Sequence, residues 1–395
     1  MKAISKRLSK RRLFYVCRDV ERAVGIDLTA PNYYIITNYN KFSAKLAKHH
    51  SHIILIKEKE QLDTGSLLAH NQTVRAIKKN DFVLVFKNNA LVEAACRKNG
   101  WKLLNPEAKL ADEIEGKVSQ VKWLGTLAKY LPPYRVDICG NVKWTGQPFI
   151  LQFNHSHTGS GTLLIDTAKK LNDLKLKFPK REIRASQFIT GSVFTNNNIV
   201  WGDKILTGNI SYQITGLSPF TDNKFATIGN DWALPHQLLS NKQIKQYKQI
   251  VTVVGKKLKK DGWKGLYGID IIADAKTGQL YLLETNARQP ASTTCESQLQ
   301  KSTGKPGITT FEAHLAGLLG VPPDNYKLAE ISDGAQIVRR VTKKKINITK
   351  IKDKSIINII KYNNTLPGSD LVRWQFNKGL MEKHNRLNAL GKKIQ

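Results

Sequence analysis

Asp270, Glu284 and Asn286 carry oxygen-bearing side chains at a spacing that suits a hard cation, inside the stretch Gly265–Arg288, GLYGIDIIADAKTGQLYLLETNAR. Apolar alternation over Leu266–Ile272 and the run Leu280-Tyr281-Leu282-Leu283 predict two strands, and Lys276-Thr277-Gly278-Gln279 supplies a turn between them. The resulting hairpin brings Asp270 close to Glu284. Glu284 and Asn286, two apart on one strand, project to one face. Facing carboxylates repel, so the arrangement is easiest to understand with a divalent cation between them, and Mg²⁺ held by one or two carboxylates plus substrate phosphates is the usual solution. The plain alternative is a surface hairpin with solvated acids. Against it stands the composition: the chain has net charge +32 with only 31 acidic residues to 63 basic ones, so an acid-x-amide-x-Arg run directly after a buried strand is not what composition predicts.

The elements that must position these residues come from a chain of 395 residues, which implies two or three domains with ample core. Hydrophobic content of 41 % is ordinary for a globular protein, and no apolar run approaches the roughly 20 residues that would span a bilayer. The basic start, MKAISKRLSKRRLFYVCRD, lacks the apolar core of a signal peptide. Cys17, Cys96, Cys139 and Cys295 are scattered without metal-ligand spacing, so a reducing cytoplasm is expected and no membrane partner. The charge excess is mostly lysine spread over the chain; it makes nucleic acid a conceivable but not favoured partner and favours anionic ligands such as nucleotides. Residues 341–395 hold 13 Lys plus Arg against 3 Asp plus Glu.

Along the chain, Tyr33–Thr37, His52–Ile56, Asp81–Phe86 and Trp101–Leu104 read as strands and Lys41–His49 and Ala90–Asn99 as helices, a small parallel α/β domain over residues 1–108. A polar helix from Pro106 to Leu131 leads to the break Pro132-Pro133. The strand Gln147–Phe153 runs into a loop of Gly, Ser and Thr at 154–162, followed by a helix over Leu163–Leu171. Such a loop offers backbone N–H groups to an anion, although its spacing matches neither the P-loop nor the dinucleotide fingerprint. Strands are expected at Ile183–Ile189, Ser192–Thr195, Ile199–Trp201 and Ile210–Ile214, and helical spacing predicts a helix over Ser240–Lys260. The stretch Gln289–Gly307 is rich in Pro, Ser, Thr and Gly, and a helix follows over Thr309–Leu319. The domains are then 1–108, 109–190 with the glycine-rich loop, 191–330 with the acidic hairpin, and a basic segment 331–395.

Taken in order, these parts resemble the ATP-grasp superfamily over about residues 25 to 320: a small α/β domain, a lysine ahead of a Pro-Pro break, a strand with a Gly/Ser loop, a strand ending in Phe-Ile-x-Gly, and Asp…Glu-x-Asn-x-Arg. The resemblance implies a fold class of an α/β parallel-sheet N-terminal domain followed by an α+β ATP-grasp fold of two subdomains, with a basic C-terminal extension. It implies a ligase that uses ATP and one or two Mg²⁺ ions to turn a carboxylate into an acyl phosphate for attack by an amine, or less often a thiol. Carried over by position, Asp270, Glu284 and Asn286 would ligate Mg²⁺, and Arg288 would stabilise charge developing on the acyl phosphate or tetrahedral intermediate. Lys117, with Lys122 as a competing choice, sits where the family places a nucleotide-phosphate lysine. Gln187, Phe188 and Ile189 fall at the adenine hinge, and Gly159, Ser160, Gly161 and Thr162 would fold over the phosphates.

Two positions depart from the pattern. Gln152 stands where a lysine is common, and Gln187 where a carboxylate is expected near the hinge. Gln152 can donate a hydrogen bond to phosphate but brings no charge, so nucleotide affinity would rest on Lys117, Lys204 or another lysine, or activity would be altered. His155 and His157 flank the loop; Arg184, Lys204 and Gln213 are candidates to line the site from adjacent strands. The partners implied are small-molecule carboxylate and amine substrates, with a homodimer as one possibility. The competing reading is a basic nucleic-acid-binding or regulatory protein on the same scaffold.

Overall fold

A computed structural model describes residues 2–154, 161–323, 326–343 and 351–395. The first domain is a five-stranded, wholly parallel sheet of order β3-β2-β1-β4-β5, made by β1 (Leu13–Cys17), β2 (Tyr33–Asn38), β3 (Ile53–Ile56), β4 (Phe82–Val85) and β5 (Lys102–Leu103). Strands buried on both faces read as continuous apolar runs, and β1, Leu-Phe-Tyr-Val-Cys, is buried at every position. One face packs on Leu67, Leu68, Val92 and Cys96 of two covering helices. The other meets Ile4, Leu8, Phe311 and Leu315, which ties the domain to the rest of the molecule.

Next comes a four-stranded antiparallel sheet of order β6-β9-β7-β8: β6 (Tyr134–Ile138), β7 (Phe149–Phe153), β8 (Thr162–Ile165) and β9 (Glu182–Gln187). The helix expected at Leu163–Leu171 is instead β8 followed by a helix over Ala168–Lys177. Thr162–Ile165 pairs antiparallel with β7, so the Gly/Ser loop closes a hairpin, and the helix starts only where Thr167 accepts the Lys170 N–H as its N-cap.

The large sheet holds nine strands, with β15-β14-β10-β12-β13-β16-β18-β17 in order and β11 paired to β10. These are β10 (Gly191–Trp201), β11 (Lys204–Leu206), β12 (Ser211–Thr215), β13 (Thr227–Asp231), β14 (Gly265–Asp274), β15 (Leu280–Asn286), β16 (Ala335–Arg340), β17 (Ile356–Lys361) and β18 (Asp370–Phe376). The two short strands expected at 192–201 are one, because the intervening Asn196-Asn197-Asn198 find partners in place: Asn196 and Asn198 exchange amide hydrogen bonds at 2.7 and 2.8 Å, and Asn197 donates to Ser292 at 3.0 Å. The helix Asn241–Lys260 opens on a capping box between Ser240 and Gln243 and buries Tyr247, Ile250, Val251, Val254 and Leu258 on the sheet.

Three further expectations are corrected. The helix expected over Pro106–Leu131 breaks into Ala108–Glu115, Ser119–Leu124 and a 3₁₀ turn. The stretch Gln289–Gly307 contains a buried helix, Thr293–Ser302. The C-terminal part does not trail from the fold as an extension: β16, β17 and β18 complete the large sheet, with Val372, Trp374 and Phe376 in its core. Among the described residues no helix is long and apolar enough to cross a membrane.

Candidate active site

The acidic hairpin forms in the expected register. Asp270 on β14 lies opposite Glu284 on β15 and, on its other side, opposite Thr195 on β10; Gly268 lies opposite Asn286. Strict alternation would have defeated the site, since Leu280 and Leu282 point into the core beneath the helix Asn241–Lys260, and Glu284 would follow them. A bulge intervenes: Ile271 pairs with Leu282 while Asp270 pairs with Glu284, leaving Leu283 as the extra residue. The bulge turns Glu284 and Asn286 to the face that carries Asp270, a recurring use of bulges beside functional sites.

Asp270 and Asn286 are each 8 % exposed, and the Asn286 amide donates to Asp270 Oδ2 at 3.3 Å. Burial first and the Glu284 charge second push the Asp270 carboxyl up to about 6, while a hydrogen bond from Thr195 and the Lys117 charge pull the other way. Two carboxylates and an amide oxygen on one buried face suit a hard cation that keeps room for water and phosphate ligands. Among the described residues no group of three or more His, Cys, Asp and Glu comes together to offer another metal site.

Lys117 Nζ lies 2.7 Å from Glu284 Oε1 and is itself buried. Its backbone is fixed from β7: the Asn154 carbonyl accepts the Lys117 N–H at 3.1 Å, and Asn154 Oδ1 accepts the N–H groups of Val118 and Ser119 at 3.0 Å each. Gly116 permits this approach, because a Cβ there would stand 2.2 Å from Ser119 Oγ and 2.6 Å from Asn154 Oδ1. The break in the expected helix therefore delivers Lys117. Lys122 lies exposed on the following helix.

Arg288 leaves β15 on the same side and bonds Glu115, which also pairs with Lys87 at 2.5 Å. Burial alone would raise Glu115; the Arg288 and Lys87 charges overcome it and hold the carboxyl below its usual range. Glu115, Lys87 and Thr195 belong to no sequence motif; only their contacts in the fold bring them to the site.

Gln152 sits on β7 directly opposite Arg184 of β9, and its amide donates to Thr162 Oγ1 at 3.0 Å. Gly161 is described through its carbonyl, which accepts the Phe153 N–H at 3.3 Å. His155, His157, Gly159 and Ser160 lie outside the described residues. Gln187, Phe188 and Ile189 form the link from the small sheet to β10; Gln187 is exposed with its N–H on the Pro133 carbonyl at 2.8 Å, and Ile189 is buried. Lys204 pairs with Trp201 at the far end of β10, six residues or roughly 20 Å along the strand from Thr195, so it does not line the site.

No family model and no curated protein sequence matches the chain. Solved structures do. N5-carboxyaminoimidazole synthetase from Staphylococcus aureus, complexed with ADP, superposes with a TM-score of 0.63 at 12 % identity, covering 97 % of this chain and 96 % of that one. The biotin carboxylase domain of the Hydrogenobacter thermophilus 2-oxoglutarate carboxylase, complexed with MgADP and bicarbonate, gives 0.65 at 14 % identity over 93 % and 86 %. L-amino acid ligase from Bacillus licheniformis gives 0.62 at 13 % over 93 % of each. The superpositions cover 93 to 97 % of this chain, which has the ATP-grasp fold.

Proposed function

We propose that this protein is an ATP- and Mg²⁺-dependent ligase that joins a carboxylate to an amine through an acyl phosphate. The observation that carries the reading is the oxygen set of Asp270, Glu284 and Asn286 on one buried face, with Lys117 against Glu284. Those three side chains would hold Mg²⁺, which supplies charge neutralisation on the β- and γ-phosphates. Thr195 and Asn286 orient Asp270, and Lys117 fixes Glu284 while bringing a cation to the phosphate side of the site.

In the first step an oxygen of the substrate carboxylate attacks the γ-phosphorus and the bond to the β-phosphate oxygen breaks, releasing ADP. In the second an amine attacks the acyl carbon, the carbon–oxygen bond to phosphate breaks, and the amine loses a proton as the amide forms. Arg288, held by Glu115, presents a fixed guanidinium to the oxyanion of that second step. The structural neighbours include an ADP-bound carboxyaminoimidazole synthetase, an MgADP-bound biotin carboxylase domain and an L-amino acid ligase, which supports the class of chemistry and leaves the carboxylate and amine to be identified. Four free, buried cysteines suit a reducing compartment.

The test is ADP release in the presence of Mg²⁺ across a panel of amino acids and small carboxylic acids. Turnover that requires Mg²⁺ and disappears in Glu284→Ala is the expected result; turnover retained in that variant removes the metal assignment. The competing nucleic-acid reading would rest on the basic residues of the C-terminal segment, of which Arg373, Lys378 and Lys393 are paired with Asp370, Asp333 and Asp353.

A further inference from the structure

Arg184 is only 4 % exposed; its hydrogen bonds go to neutral oxygens, while the Glu284 carboxylate acts on it through charge without a direct ion pair. Its Nε and one terminal nitrogen both donate to Gln152 Oε1, at 3.1 and 2.6 Å, and that nitrogen also reaches the Leu283 carbonyl at 3.4 Å. Among the described residues no carboxylate lies within ion-pair range of it, and its other terminal nitrogen is buried without a hydrogen-bond partner. A buried guanidinium with a donor that no protein group satisfies is costly and calls for an explanation.

Its surroundings supply one. Gln152 is held at both ends, its oxygen by Arg184 and its amide by Thr162, so the guanidinium cannot swing away without breaking both of its bonds to a fixed amide oxygen. Leu283 is the bulge residue next to Glu284. Arg184 therefore stands between the hairpin that carries Gly161 and Thr162 and the strand that carries Glu284 and Asn286. A phosphate lying between Thr162 and the proposed metal ligands would come within reach of it.

We propose that Arg184 binds the phosphate oxygens of the nucleotide and brings, from β9, the charge that Gln152 does not bring from β7; Gln152 is a positioning residue that sets the angle of the guanidinium. The charge has moved one strand sideways, between directly paired positions. The inference rests on the ligase reading for the nucleotide, and on this chain's own geometry for the residue.

Binding of MgADP and of adenosine to the full-length protein, measured by calorimetry, tests it. Arg184→Gln is expected to weaken MgADP roughly 10- to 100-fold, the weight of one or two charge-assisted hydrogen bonds, and to leave adenosine unchanged. The double variant Gln152→Lys/Arg184→Gln, which returns a cation to the paired position, is expected to recover most of that loss. Should Arg184→Gln not fold, Arg184→Lys, which keeps charge but loses the fork, is read instead and is expected to weaken MgADP several-fold.

MgADP binding within twofold of the wild type in a folded Arg184 variant overturns the proposal and leaves Arg184 a packing residue. So does a folded double variant that shows no recovery. A wild-type protein that binds neither MgADP nor MgATP sinks the ligase reading itself, a different result.

Discussion

On one face of the large sheet Phe194, Ile269, Ile271 and Leu282 pack against Tyr247, Ile250 and Val251 of the long helix. On the other, Thr195, Asp270 and Glu284 come from the same strands, one residue out of step, and meet Lys117. The polar face does not stop there. Asn230 donates to Ser211, Gln336 to Asn230 and Asn358 to Gln375, at 2.9–3.1 Å, in a row across β12, β13, β16, β18 and β17. The comparison teaches that the apolar face packs mainly by burial, whereas the polar face runs as linked amides and hydroxyls, with Gln336 Oε1 left without a partner. Next to Lys117 that face sets the carboxylates of Asp270 and Glu284 opposite one another, the pair proposed to hold a cation.

Leu282→Asp would break the difference most severely. It places an unpaired carboxylate in the core beneath the helix, which should cost more than about 4 kcal/mol or prevent folding, seen as loss of the cooperative thermal transition. Phe194→Ala attacks the apolar face alone. It should cost about 3–5 kcal/mol in denaturant unfolding while Mg²⁺-dependent nucleotide binding survives.

Asp270 gives the comparison a pH signature. Its carboxyl is raised in the folded state, so folding takes up a proton there; stability from this group is present below about pH 4 and is lost as pH rises through about 6. Asp270→Asn should therefore be more stable than the wild type at neutral pH without metal, by about 3 kcal/mol at most, with the advantage gone near pH 4. The difference between the two proteins is the quantity to measure, because burial also raises Asp19 and Glu296 to about 7. Added Mg²⁺ should reverse the order of the two melting temperatures. The smallest effect is expected from Thr195→Val, which removes one hydrogen bond to Asp270, worth about 1 kcal/mol, and should weaken Mg²⁺ binding at pH 6 about fivefold.

How much of this was legible depended on distance along the chain. The hairpin of β14 and β15 was readable because a short turn sets the register of two alternating strands, and the helix over Asn241–Lys260 because its apolar stripe and Ser240 cap are local signals. The hairpin β7–β8 was misread as strand then helix, since Thr162–Ile165 becomes a strand only by pairing with β7. The helix Thr293–Ser302 hid in a stretch of turn-forming residues whose hydroxyls and carboxylate are satisfied by partners elsewhere, such as Asn197 and Asn209 on Glu296. The basic C-terminal residues looked like an appendage because a strand at a sheet edge owes its place to long-range pairing.

By itself the amino-acid order determined which residues carry oxygen donors and that a turn would fold Asp270 and Glu284 back near one another, for a turn needs nothing beyond its neighbours; the bulge at Leu283 decided that their side chains share a face. Only tertiary structure decided that Glu115 would hold Arg288, that Lys117 would reach Glu284, and that Arg184 would sit behind Gln152. Those contacts join positions 32 to 173 residues apart. Their closeness follows from how strands from separate sheets are stacked and bulged, information that no local pattern of residues carries.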